Sequence, residues 1–211
     1  MTCNQFPTAT TVEVPEIPVQ PNLMLSPSTT AVVVVDMQKD FVDDGGSLHV
    51  EAARATVPQI AALLQRGRDA GVMVLYTQDT HGEEDREFAI WPVHCVEGTR
   101  GWEIVDELSP HPGDLVVQKH RYDGFYGTAL DHHLRHEASI DHLIIVGTVA
   151  NICVGQTAAS AGLRWYNVVT AADGISALTA FDQIAALRQI TSLYNGQVVA
   201  SVDDLAFSDD R

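Results

Sequence analysis

The chain has 211 residues, a formal net charge of -16 and only two lysines, Lys39 and Lys119; it is long enough for one domain with a single core and too short for two of ordinary size. Such acidity argues against nucleic acid or an anionic membrane surface as partner, and an acidic, lysine-poor surface also suits a salt-rich cytoplasm, where salt screens self-repulsion. The three cysteines, Cys3, Cys95 and Cys153, are odd in number and lack framework spacing, which argues against a disulfide scaffold or structural zinc cluster and predicts a reduced, cytoplasmic protein; the sequence also predicts no signal peptide and no membrane span.

Residues 1–29 hold five of the nine prolines and show no periodicity, so an extended arm is expected, followed by one domain over 30–211. The β-branched run 31–35 predicts a strand buried on both faces that ends at Asp36. A helix follows over 51–70 and stops at Gly71. The second strand, 72–77, leads to Asp79. From there to Asp114 runs a long connection carrying His81, Glu87, Trp91 and His94, and connections of that length inside a compact domain are usually functional. The third strand, 115–118, ends at Lys119, and a helix is predicted over 128–137. A fourth strand, 142–146, turns at Gly147 and runs into a helix with Asn151 as N-cap and Cys153 in the first turn. Strand 168–171, helix 180–194 and strand 197–201 complete the pattern. Mostly apolar strands alternating with helices predict a three-layer α/β/α, Rossmann-like fold with a six-stranded parallel sheet. Ligands in such sheets bind beyond the carboxyl ends of the strands, which here carry Asp36, Asp79, Lys119 and the turn before Cys153.

A cysteine at a helix N-terminus is expected to have a lowered pKa. With a lysine and an aspartate at the same edge it supplies a nucleophile, a cation and a base. The plainer alternatives are an inert buried cysteine and an ordinary Asp36–Lys119 ion pair. Asp79, His81, Glu87 and His94 offer two imidazoles and two carboxylates, a set suited to Zn, Mn or Fe rather than Mg alone; the alternative is a polar lip whose histidines only hydrogen-bond. Cys95 follows His94 directly and faces the other way on an extended segment, so it stays outside the set. Phe41, Trp91, Phe125 and Tyr126 could line a flat aromatic pocket or be plain core. The remaining histidines read as solvated.

Val-Val-Asp36-Met-Gln38-Lys-Asp-Phe41, Gln-Asp79-Thr-His81, Trp91-Pro-Val-His94-Cys95, Lys119 after a strand, and Gly147-Thr-Val-Ala-Asn-Ile-Cys153-Val resemble the isochorismatase-like cysteine hydrolases, most of all the nicotinamidases. The resemblance implies an Asp36-Lys119-Cys153 triad and a cis peptide between Thr148 and Val149. It further implies an oxyanion hole from the Val149 and Cys153 amides and a pocket that includes Thr148. A divalent transition metal, zinc first with Mn or Fe as alternatives, would sit on Asp79, His81 and His94, with Glu87 a looser match, and would orient a pyridine ring; no organic cofactor is implied. The expected reaction is amide hydrolysis through a thioester, nicotinamide to nicotinate and ammonia. Another small amide, an N-carbamoyl compound or an isochorismate-like substrate are the alternatives within the superfamily. An inactive oligomeric interaction domain is the alternative outside enzymes, and a homo-oligomer is expected.

Overall fold

The computed structural model describes residues 13–209. At its centre lies β2 (Thr30–Val35), every residue of which is buried. A run of valines suits this place, since β-branched side chains pack well on a pleated surface covered on both faces. β3 (Met73–Asp79) and β4 (Leu115–Lys119) extend the sheet on one side; β5 (His142–Thr148), β6 (Asn167–Ala171) and β8 (Gln197–Val199) extend it on the other, giving the order β4-β3-β2-β5-β6-β8 with every pairing parallel. These are the six predicted strands. A seventh, the two-residue β7 (Ile175–Ser176), pairs with the end of β5 at Gly147 and Thr148.

The sequence order runs outward in opposite directions from β2 and β5. Because crossovers between parallel strands are right-handed, helices of the two halves fall on opposite faces of the sheet. Accordingly α2 (Ala53–Asp69) packs on β2, β3 and β5, whereas α3 (Gly155–Leu163) packs on β6, α4 (Ala180–Leu193) packs on β8, and α3 and α4 touch each other. A single-turn α1 (Lys39–Val42) follows β2. The reversal between β2 and β5 opens a crevice at their carboxyl ends. Gly147 lies at that edge with φ +118°, and a Cβ there would collide with the Val35 carbonyl; only glycine lets the strands approach so closely.

Three elements differ from expectation. Within the predicted arm, β1 (Leu23–Leu25) pairs in parallel with β9 (Leu205–Phe207), and the Gln20 N–H donates to the Val198 carbonyl at 2.7 Å. The predicted helix 128–137 is instead a wide π turn over His132–Glu137. Gly127, with φ +69°, precedes this segment. The helix carrying Cys153 likewise begins as a π turn, Ala150–Val154. No helix among the described residues is long and apolar enough to cross a membrane.

Candidate active site

The parallel register places Asp79 opposite Lys119 at the ends of β3 and β4, while Asp36 follows β2 with φ +51°, turning the chain away from the sheet. Lys119 is fully buried, and its Nζ lies 2.7 Å from Asp36 Oδ2, 2.8 Å from Asp79 Oδ1 and 3.8 Å from Cys153 Sγ. The Thr77 hydroxyl donates to Asp36 Oδ1 at 2.7 Å. The structure thus brings the three predicted residues together around one ammonium group.

Cys153 sits in the π turn, after a cis peptide between Thr148 and Val149. The N-cap is Val149, not Asn151, whose Nδ2 donates to Asp182 Oδ1 at 3.0 Å. The expectation of a lowered thiol pKa is also corrected. Burial pushes the Cys153 thiol well above its ordinary value, Lys119 opposes this, and the Asp36 and Asp79 charges add to the rise. Burial likewise raises Asp36 against the pull of Lys119. Although burial disfavours the charge on Lys119, Asp36, Cys153 and Asp79 hold its pKa well above the usual lysine value. At rest the site therefore holds a neutral thiol beside an ammonium that lies between the carboxyl groups of Asp36 and Asp79.

Asp79 joins this group to a second one. Its Oδ2 lies 3.0 Å from His81 Nε2 and 3.4 Å from His94 Nε2, and one ligand atom from each of Asp79, His81, Glu87 and His94 falls within a span of 4.8 Å. All four side chains are buried. His94 Nδ1 donates to the Pro92 carbonyl at 2.7 Å, and His81 Nδ1 is 3.1 Å from Asp85 Oδ2. These outer partners hold the remaining ring nitrogens toward the cluster, as they do behind metal-bound histidines. Two imidazoles and two carboxylates converging in a buried place fit a divalent transition ion of the Zn, Mn or Fe type. Cys95, fully buried, stands outside the cluster; its N–H donates to Asp40 Oδ2 at 2.8 Å.

Cys153 of the first group and Asp79, Glu87 and His94 of the second line one cavity, with an empty volume of about 370 Å³ that includes some open solvent. Cys153, Val149, Asp79, Glu87 and His94 form its reactive side, and Phe41 and Trp91 flank it as predicted. Phe125, Tyr126 and Thr148 are not among its lining residues. Phe125 is buried against Tyr166, Tyr126 is exposed, and the Thr148 hydroxyl accepts from Ser176 Oγ at 3.0 Å. Sequence reasoning missed Leu48, Val50, Tyr122, Ile152 and Leu178. Of these, Ile152 had a signal, its place next to Cys153. Tyr122 is recognisable only in three dimensions, where its hydroxyl accepts from Trp91 Nε1 at 2.9 Å.

A doubly wound parallel sheet with a thiol, an ammonium and carboxylates gathered at its switch point places the protein in the class of isochorismatase-like cysteine hydrolases. The chain belongs to the isochorismatase family, whose Isochorismatase domain matches residues 30–204. It is 31% identical over 215 residues to a ureidoacrylate amidohydrolase of Caulobacter segnis, a match covering 89% of each chain. Among solved structures, N-carbamoylsarcosine amidase of Thermoplasma acidophilum is 36% identical with a TM-score of 0.75, covering 83% of this chain and 97% of that one. A pyrazinamidase of Pyrococcus horikoshii in complex with zinc is 28% identical with a TM-score of 0.76, covering 81% and 98%. The protein is an amidohydrolase, acting on carbon–nitrogen bonds of non-peptide amides.

Proposed function

We propose that the protein hydrolyses the terminal –CO–NH2 group of a small molecule through a covalent adduct on Cys153, with an N-carbamoyl compound as substrate ahead of nicotinamide. The observation that carries the chemistry is the Lys119 ammonium between Asp36 at 2.7 Å and Cys153 at 3.8 Å. The choice of substrate rests on the relatives named for ureido and carbamoyl compounds, which displaces nicotinamide from first place.

In this reading Asp36 takes the thiol proton as the sulfur attacks the carbonyl carbon. A buried carboxylate with a raised pKa is a better base for a thiol than an exposed one, and Lys119 holds the negative charge that develops nearby. The backbone amides of Val149 and Cys153 stabilise the oxyanion. As the tetrahedral centre collapses, the carbon–nitrogen bond breaks and ammonia leaves with the proton from Asp36. Water, deprotonated by the same carboxylate, then attacks the thioester or thiocarbamate carbon, and the thiol is regenerated. An N-carbamoyl substrate gives a carbamic acid, which loses CO2 to leave the amine. A divalent metal on Asp79, His81, Glu87 and His94 would supply a Lewis-acidic point for a substrate donor atom beside the thiol. That donor set, with Phe41 and Trp91 alongside, favours the second reading, a pyridine carboxamide such as nicotinamide.

Residues 30–211 act in this reading as one catalytic domain. Ammonia release from a panel of N-carbamoyl compounds, nicotinamide and benzamide tests the proposal, together with Cys153→Ala. The variant is expected to keep the fold and lose hydrolysis; retained activity refutes the covalent route, and nicotinamide outrunning every N-carbamoyl compound reverses the order of the two readings.

A further inference from the structure

The relatives that point toward carbamoyl chemistry are named for ureidoacrylate and N-carbamoylsarcosine, both of which carry a carboxylate. A site for such a substrate needs a cation or a set of donors for that second group, because an anion buried without a partner is strongly disfavoured. The cavity here is built differently. Away from the thiol its wall is made by Phe41, Leu48, Val50, Trp91, Ile152 and Leu178, and none of the described residues lining it is a lysine or an arginine.

The charged groups on the floor do not make up the difference. Lys119, held between Asp36 and Asp79 at 2.7 and 2.8 Å, does not itself line the cavity, whereas the carboxyl groups of Asp79 and Glu87 do. The lining thus offers the carboxyl groups of Asp79 and Glu87 and, among the described residues, no lysine or arginine. Arg121 is not among the lining residues; it is bonded to Asp85 at 3.2 Å and lies 3.9 Å from Glu87. Leu178, which lines the cavity, is half exposed.

We infer that the substrate is an uncharged urea or carboxamide bearing an apolar substituent, and that the cavity discriminates against ureido acids. This rests on the proposed hydrolysis of a terminal carbamoyl group and narrows it. The apolar wall holds the substituent by removing it from water, while the carbamoyl head lies against Cys153, where its small dipole tolerates the acidic floor. An anionic substituent would lose its hydration on that wall and regain no partner.

The test compares 3-ureidopropionate with its neutral near-isostere n-butylurea, alongside benzamide and nicotinamide. Ammonia release is measured with the protein as purified and after chelator treatment, and binding is measured directly by calorimetry on Cys153→Ala. The neutral urea is expected to exceed the acid by about 100-fold or more in kcat/KM, as befits a carboxylate desolvated without a partner. The calorimetric affinities are expected to run the same way with and without chelator. In Leu178→Arg, which places a cation on the wall, the ratio of acid to neutral rates is expected to rise at least tenfold. Equal or better use of 3-ureidopropionate overturns the inference and leaves the amidohydrolase reading intact. A preference for the acid that disappears on chelation also overturns it, by assigning the carboxylate to the metal. Absence of ammonia from every compound refutes the proposed reaction and the inference with it.

Discussion

Lys119→Met separates the electrostatic role of this lysine from its bulk, since methionine is apolar and flexible enough to occupy the space. The side chain is fully buried, as is Asp36, and the ammonium is shared between two carboxylates at 2.7 and 2.8 Å. Breaking a buried pair by removing one partner costs roughly 3–5 kcal/mol, because the other charge stays behind uncompensated. For a denaturant slope of about 2 kcal/mol/M, the urea midpoint should fall by roughly 2 M. The pH dependence has a definite sign. Lys119 is the main influence lowering the Asp36 pKa against burial, so without it the folded-state pKa rises further above the unfolded value. The folded variant then holds a proton that the unfolded chain has released. Its penalty is therefore largest above the folded pKa and is relieved as the pH falls through it, so wild type and variant should lie closer together at pH 5 than at pH 7. Urea unfolding with chelator present, followed by the emission of Trp91, Trp102 and Trp165, measures both quantities. A loss below about 1 kcal/mol at pH 7, or a gap that widens on acidification, would refute the account of Lys119 as the partner of two buried charges.

Gln38→Leu is expected to destabilise the fold by about 3 kcal/mol in the same urea assay. The Gln38 amide accepts from the Asp79 N–H at 2.7 Å and donates to the Asp79 and Trp102 carbonyls at 2.8 Å, so leucine leaves the buried Asp79 N–H and carbonyl without that partner, while the Trp102 carbonyl keeps Gln78 Nε2 at 2.9 Å. His81→Ala should lower the metal content of protein purified without chelator from about one transition ion per chain toward zero, measured by elemental analysis; unchanged content removes His81 from the cluster. With a net charge of -16, the thermal midpoint is expected to rise between low and molar KCl, and a falling midpoint contradicts the reading of the acidic surface as salt-adapted.

What was legible in the sequence followed from local pattern. The valines of β2 and the apolar runs of β3 to β6 marked strands, and their last residues marked the site, because a parallel sheet collects its strand ends on one edge. Asp36, Lys119 and Cys153 meet where that rule sends them. What failed depended on tertiary surroundings. The helix-start argument gave the Cys153 thiol a low pKa, yet burial and two neighbouring carboxylates outweigh any gain from the helix end. Phe125 and Tyr126 are adjacent in sequence, but one is buried against Tyr166 and the other faces solvent, and nothing in their composition distinguishes them from Phe41 and Trp91. β1 was hidden because three residues carry too little periodicity to register.

The β1–β9 ladder lies just outside the matched family segment on both sides, for that segment ends at residue 204 and begins at residue 30. A chain trimmed to those limits would lose both strands together, whereas trimming one side alone would strand the other as an open edge, with unpaired N–H and C=O groups available to any neighbouring chain. Shortening is therefore non-additive here. Trimming before residue 30 also removes Gln20, whose N–H bonds the Val198 carbonyl, so every form without the arm uncovers the β8 edge, and the form trimmed only at residue 204 exposes β1 alone.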